Sequence, residues 1–470
     1  MTFQTVPFNI VGGTHENRSR PISTQKTVNM YLQVNEYGKD PVSLQSFPGQ
    51  KLFSQVSGDS DRGMHVMNET LYRVVDDQLY QVKSDGNHIH KGVITGSERV
   101  IMEDDGDNLV IVSDRVYVFT ESTDTFQENT NVNLVNVLSV TIINNQFIYT
   151  TEELSFMAQP GLPFDVSGLD AIGAESSPDK LVRDYVFNQT DYRFGVRTLE
   201  PWYNSGVGSP PIDRIDGAQK NTGLVAINSV ANTDNFVYWL GDDKSIYRIR
   251  GNSAEKVSDD ALSNTIEGMS KIDDAFGYAF TLQGQEFYLI TFPSENKTFV
   301  INENLGRQGW FNLNSTTQDL AYSGTSSVNV YNKTYVASKG DLLTLELNEF
   351  TQNTDVLIRE RISTAITGES LGIKGQRLKM SRLELFVEAG VGLMTGQGEN
   401  PRVRIETSID GGRSYAHSAW VELGRLGDHT LRCELFQMAS GESFVFRLTM
   451  SDPVPLTISG AAIDVKMVGR

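Results

Sequence analysis

The chain has a single cysteine, Cys433, among 470 residues. It cannot form an internal disulfide, which excludes a disulfide-stapled secreted scaffold and favours synthesis in a reducing cytosol. Cys433 itself reads as a half-buried strand residue. Long apolar runs are missing too. No stretch reaches the roughly 18 apolar residues of a membrane-spanning helix, and residues 1–30 lack the apolar run of a signal peptide. Histidine is scarce, at six residues. His88 and His90 share a strand face, but no third ligand lies nearby in sequence, so no metal or cofactor is expected. HExxH, GxSxG and GxxxxGK[ST] are all absent, and no catalytic constellation stands out. Six Asn-x-Ser/Thr triplets, including those at Asn68 and Asn188, read as products of an Asn- and Thr-rich composition.

Positive charge is also short. The net charge is −19, and its placement is uneven. Residues 1–60 carry +1 and residues 351–470 carry zero, so residues 61–350 hold −20. A nucleic-acid binder would carry the opposite sign. Such a surface suits solubility, or the repulsion of a polyanion.

What is present is a repeat. A β-rich run, a short turn and a second β-rich run recur from residue 62 onward. The copies are LYRVVDDQLYQV (71–82), NLVIVSDRVYVF (108–119), QFIYTTEELSFM (146–157), DYRFGVRTLEPWY (191–203), FVYWLGDDKSIYRI (236–249), EFYLITFPSENKTFVI (286–301) and KTYVASKGDLLTLEL (333–347). Each reads as a hairpin with Gly, Asp, Asn or Ser at the bend. Their starts are 37 to 50 residues apart. That period, without helical segments of 3.6 or heptad character, predicts propeller blades. The runs at 62–67, 99–104, 137–143 and 223–230 would supply inner strands. Seven copies predict seven blades, or six if one copy is an insertion or an incomplete blade. Residues 158–180 and 204–222 read as long loops, a length usually associated with function or partner contact.

The repeat stops near residue 350. Alternating runs at 382–392, 402–410, 443–452 and 456–467 predict a C-terminal β-sandwich over 351–470. Residues 1–60 read as an N-terminal arm or a partial blade, leaving 61–350 as the propeller. The fold class is therefore all-β.

Two local patterns bear on chemistry. Glu103-Asp104-Asp105-Gly106-Asp107 lacks calcium-loop spacing and reads as a solvated turn. Ser408-Ile-Asp410-Gly-Gly412-Arg-Ser414-Tyr415 resembles an Asp-box hairpin, whose carboxylate would accept backbone N–H groups while the aromatic packs beneath. Sialidase propellers carry such boxes. A glycan-binding or glycan-hydrolysing receptor-binding component is therefore the alternative reading. It is disfavoured because one box lies outside the repeat and no Arg-Ile-Pro motif opens the chain.

An ordered set of segments resembles the packaged-DNA-stabilisation, or tail hub, proteins of short-tailed phages of the Salmonella generalized-transducing type. They are VNMYLQ (28–33), Ser46-Phe47-Pro48-Gly49, the run 62–82, and Glu200-Pro201-Trp202-Tyr203-Asn204-Ser205-Gly206. Residues 223–249, 396–401, SIDGGRSY and FRLTMSDPVPLTISGAAIDV follow. Residues 158–180 and 251–275 depart from the pattern. The resemblance implies a structural virion protein and not an enzyme: a homo-hexameric tail hub or nozzle, built in the host bacterial cytoplasm. It would sit beneath the portal-adaptor ring, with a tail needle or plug and tail spikes or fibres attached. Double-stranded DNA would be retained after packaging and then leave through the lumen without specific binding. Contact with the host envelope would come through the tail. An acidic propeller around such a lumen would oppose phosphate adhesion, though only residues lining the bore act within the screening length of about 10 Å.

Overall fold

The computed structural model describes residues 3–35, 37–173, 179–315, 320–372 and 377–468. Among these, six four-stranded antiparallel meanders follow one another along the chain, and a seventh of three strands is completed by a strand from the N-terminal segment. Blade 1 spans 61–93, blade 2 spans 101–128, blade 3 spans 139–173 and blade 4 spans 181–214. Blade 5 spans 231–256, blade 6 spans 276–312, and blade 7 takes three strands from 326–346. The seven repeated hairpins are the two middle strands of their blades.

Turn chemistry explains why the meanders form. Inner and second strands are joined by two-residue turns in which both residues have positive φ: Asn68-Glu69, Asn144-Asn145, Asn188-Gln189, Gln283-Gly284 and Tyr331-Asn332. That geometry matches the right-handed strand twist and favours asparagine. The triplets at Asn68 and Asn188 are thus hairpin turns followed by the strand-starting Thr70 and Thr190.

Each blade has two apolar faces and must bury both. Apolar clusters accordingly fill every gap between neighbouring blades. Tyr72, Leu79, Leu109 and Phe119 fill the gap between blades 1 and 2. Leu71 and Val82 meet Tyr335 and Leu342 between blades 1 and 7, which closes the ring. Each fully buried Leu or Phe contributes about 1.5–3 kcal/mol.

Closure uses two further devices. Gly49–Gln55 pairs antiparallel with Asp341–Glu346 and becomes the fourth strand of blade 7, and Thr351–Gln352 meets its other edge in a parallel bridge to Gln50. At the same seam Arg73 of blade 1 pairs with Asp61 at 3.0 Å, and both side chains are fully buried. Arg73 also donates to the carbonyl oxygens of Lys339, Gly340 and Asp341, while Asp61 accepts from the hydroxyls of Thr325 and Ser326.

The sandwich has two sheets. One runs Met30–Val34, Val42–Ser46, Thr457–Val468, Arg377–Val387 and Cys433–Gly441, and Gln4–Phe8 also pairs with Thr457–Val468. The other contains Arg359–Ile362, Ser443–Met450, Arg402–Ser408 and His417–Glu422. It continues into blade 6 through Thr24–Val28, which meets Trp310–Asn312 in a parallel bridge. Cys433 is buried in an edge strand, and burial pushes its thiol up to about 12.

Several expectations change. Residues 1–60, expected as an arm or a partial blade, divide: Gly49–Gln55 supplies a strand of blade 7, while the earlier strands join the sandwich sheets. Over 158–180 a loop is expected, but Leu162–Gly173 is the outermost strand of blade 3; two register shifts against Leu154–Gln159 hide its alternation. The run 223–230 is not an inner strand. It contains a 3-10 turn, Ile227–Ser229, and the inner strand is the short Ala231–Asn232 that follows. The tract 251–275 holds a helix, Asp260–Glu267, too short for a 3.6-residue period to register. Asp259 caps it by accepting the Leu262 N–H at 2.7 Å.

Removing one partner of a buried ion pair costs about 3–5 kcal/mol, because the other charge stays buried. Arg73→Met is expected to lower urea-unfolding stability by about that amount. Asp61→Asn combined with Arg73→Met should recover part of it. Equal stability of the single variant and the parent would refute a role for this pair in closing the ring.

Candidate functional site: motif segments, buried charges and the propeller axis

The Ser46–Gly49 segment is structural. Phe47 is buried in the aromatic cluster between blades 6 and 7, edge-on to Phe280 at 5.9 Å and to Tyr322 at 6.4 Å. Pro48 is buried beside it. A Cβ on Gly49 would lie 2.2 Å from the Thr351 carbonyl oxygen, so only glycine admits this approach where the closing strand begins. Asn29, at the end of VN in VNMYLQ, adopts positive φ where the chain leaves one sandwich sheet for the other. Its side-chain Nδ2 donates to Ile358 O at 2.8 Å and its side-chain Oδ1 accepts from Asn314 N–H at 2.9 Å.

The segment 200–206 roofs a buried charge cluster between blades 3 and 4. Arg193 is almost wholly buried, with Asp191 at 3.1 Å and Asp184 at 3.5 Å. Trp202 lies 4.7 Å over the Arg193 guanidinium and donates its indole N–H to Glu200 at 3.2 Å. Ser155 of blade 3 donates to Asp184. Burial, reinforced by the Asp184 charge, pushes the Asp191 carboxyl well above the usual carboxylate range. Tyr203 turns outward and is exposed. Asn204 accepts the Gly206 N–H at 2.9 Å, and Gly206 supplies the positive φ of that turn.

The Asp-box-like hairpin sits on the sandwich. Ser408 Oγ donates to Asp410 at 2.7 Å and accepts the Gly412 N–H at 2.8 Å. Asp410 accepts the N–H groups of Arg413 and Ser414 and the Ser414 hydroxyl at 2.6 Å. These bonds hold its carboxyl well below the usual range. Tyr415 packs under the Arg447 guanidinium at 4.2 Å, and Arg20 donates to the Gly412 carbonyl oxygen. The polar groups of the box are therefore engaged within the hairpin and with its own chain.

His88 and His90 flank the Tyr80 ring edge-on at 5.8 and 6.0 Å. Burial holds the His88 imidazole down to about 4. The acidic run divides. Asp105 caps its own turn by accepting the N–H groups of Asp107 and Asn108, and Asp104 pairs with His65 at 2.6 Å. Glu103 is not part of the solvated turn. It lies on the innermost strand of blade 2, within electrostatic reach of Arg183 in blade 4.

Sequence reasoning missed this axial group. Arg99, just before blade 2, lies 4.3 Å over Phe276 of blade 6 and donates to the Thr325 carbonyl oxygen beside blade 7 at 2.8 Å. A side chain from blade 2 that touches blade 6 crosses the propeller axis. The available signal was an arginine at the threshold of an inner-strand run, in RVIMED.

Two family models match in succession. The bacteriophage P22 Gp10 β-propeller family covers residues 4–352, and the bacteriophage P22 Gp10 β-sandwich family covers residues 365–466. The chain belongs to the bacteriophage P22 Gp10 family. It is thus a structural component of a phage virion, a tail protein built of a β-propeller and a β-sandwich. The propeller match begins at residue 4, although the strands at 4–8, 30–34 and 42–46 pair within the sandwich. No curated protein matches the sequence. Among solved structures, the N-terminal domain of Nup159 is 10% identical with a TM-score of 0.42, covering 68% of this chain and 98% of that one. BamB from Moraxella catarrhalis is 7% identical with a TM-score of 0.39, covering 73% of this chain and 96% of that one.

The Asp191 carboxyl gives a signed pH dependence. A carboxyl whose folded-state pKa is raised favours the native state while protonated. That contribution is complete below the unfolded carboxylate range, about pH 4, and is lost as pH rises towards neutral. Asp191→Asn is therefore expected to flatten the decline of Tm across that window. A variant whose Tm tracks the parent in parallel from pH 4 to pH 8 would contradict it.

Proposed function

We propose that the chain is a hub, or nozzle, subunit of a short phage tail. It assembles as a homo-hexameric ring beneath the portal-adaptor ring and completes the head after packaging. The ring retains DNA and later serves as its exit duct. A tail needle or plug closes its far end, and spikes or fibres attach around it. Assembly takes place in the host bacterial cytoplasm, and contact with the host envelope is made through the tail. No turnover is part of this role.

The consecutive match of both Gp10 domains carries the reading. Two physical observations support it. The −20 charge of residues 61–350 suits a wall along which DNA slides, and not one that grips it. Arg99 bridges the propeller axis from blade 2 to blade 6, so duplex DNA cannot pass through a single chain. A duct therefore requires a ring of copies. The glycan reading gains nothing from the hairpin at 408–415, whose carboxylate is consumed internally.

Mass photometry of the protein mixed with its portal-adaptor partner is expected to give a particle holding six copies with an open centre by negative-stain imaging. A complex with one copy per adaptor, or a closed centre, would overturn the ring. Filter binding at about 0.15 M salt, where screening acts over about 8 Å, should show no retention of duplex DNA. Saturable retention would remove the sliding-wall argument while leaving the ring to the first experiment.

A further inference from the structure

The outer rim of blade 3 is built inside out. Asn129, Asn131 and Asn133, in the segment leading into the blade, turn towards it. Their side-chain amides donate to the carbonyl oxygens of Pro163, Phe164 and Val166 at 2.9, 3.3 and 3.0 Å. These bonds occupy carbonyl oxygens of the outermost strand, Leu162–Gly173. The residues of the segment that face solvent are apolar, with Val132 85% exposed and Val135 64%. On the strand itself Leu162, Phe164 and Leu169 are exposed, Leu169 by 88%. Ser209 of blade 4 donates to Asp170, which places the turn holding Val207, 76% exposed, beside the same strand. Exposed apolar groups gathered in this way mark a surface that another surface covers.

Charge narrows what can cover it. Between Arg115 and Lys180 the chain has no Lys, Arg or His, but nine Asp or Glu. A second propeller face would bring negative charge against negative charge. The sandwich is different, since residues 351–470 sum to zero. It also has apolar groups to offer. Both of its sheets start from strands of the N-terminal segment, on the propeller side. They end in the edge strands His417–Glu422 and Cys433–Gly441, which contact one another. On these free edges Trp420, Phe436 and Met438 are exposed. The Arg402 guanidinium lies 5.3 Å over the Trp420 ring and has no ion-pair partner among the described residues.

Position makes the two surfaces a pair. The sandwich joins the propeller at blades 6 and 7, through Thr24–Val28 and Gly49–Gln55. In a closed ring of seven, blade 3 is three blades from each of these and so lies across the axis. Two unlike patches on opposite sides of one chain make a head-to-tail contact, which closes into a ring or runs on as a filament.

We infer that the rim of blade 3 docks on the free edges of the β-sandwich of a second copy of this chain, and that this head-to-tail contact builds the ring. The inference rests on the hexameric-ring reading above and names its interface. Trp and Arg, as at Trp420 and Arg402, are the residue types that dominate the energy of such contacts. Asp165, exposed between the apolar residues of the rim, has no cation in its own blade and suits an arginine from the neighbouring copy.

Bis-maleimide crosslinking of the particles formed with the portal-adaptor partner tests it. The native Cys433 is buried and out of reach. Leu169→Cys combined with Phe436→Cys is expected to give a covalent ladder reaching six chains. Either cysteine alone should give none, because rim meets sandwich and never its own kind. In parallel, Val132→Glu with Leu169→Glu should abolish six-copy particles in mass photometry while keeping the parent's melting temperature, since both positions are exposed in the single chain. Trp420→Glu should do the same from the other side. Should a glutamate variant fail to fold, the crosslinking pattern decides. Six-copy particles that yield no ladder, or that persist in the Val132 and Leu169 variant, would overturn this contact and leave the ring standing. A covalent dimer from either single cysteine would overturn the head-to-tail arrangement. Persisting six-copy particles that lose a spike or fibre protein would overturn the assignment to a second copy and give the rim to that protein. A parent that forms no six-copy particle overturns the ring reading, and this contact with it.

Discussion

Gly49–Gln55 completes blade 7 by pairing with Asp341–Glu346, and this ladder joins the beginning of the chain to a point almost 300 residues later. The constraint behind it is that a sheet edge with unpaired N–H and C=O groups is a liability, and a ring of blades removes most such edges only when it closes. The same seam buries Asp61 and Arg73 against blade 7. Charge, hydrogen bonds and apolar packing therefore all converge where the first and last blades meet. A long-range ladder of this kind carries a large loop-closure cost, which the surrounding buried surface must offset.

Closure also ties the two domains together. Before reaching blade 7, the N-terminal segment contributes Gln4–Phe8, Met30–Val34 and Val42–Ser46 to one sandwich sheet. Thr24–Val28 bridges the other sheet to blade 6. Asn29, with its left-handed backbone and paired amide, is the pivot between these layers. Arg361 then pins the segment at Ile10 and Gly13 from the sandwich side. The strands between Gln4 and Gln55 thus act as a strap through both bodies.

The segments that carry the family resemblance turn out to be structural for distinct reasons. Gly49 is required by a close backbone approach, Trp202 by an arginine it covers, and Asp410 by the turn it closes. None of them lines the axis. The charged groups nearest the axis, Arg99, Glu103 and Arg183, lie in or beside inner strands whose sequence looks ordinary.

Local alternation and turn chemistry were sufficient to place the seven hairpins, because period-2 patterning and Asn- or Asp-rich bends are short-range properties. The same reasoning reads the sandwich strands, and the resemblance rests on segments a few residues long. It failed where regularity fails. Register shifts concealed Leu162–Gly173, a blade edge of two residues concealed the start of blade 5, and eight residues were too few to announce a helix. What the sequence by itself determined is an all-β chain of repeated meanders followed by a sandwich, with its negative charge concentrated in the repeat. Tertiary structure alone decided where residues 1–60 go, which blade receives the closing strand, and which charges meet on the axis. Those depend on contacts between residues tens to hundreds of positions apart, and no local pattern encodes which distant partner a strand or a guanidinium will find.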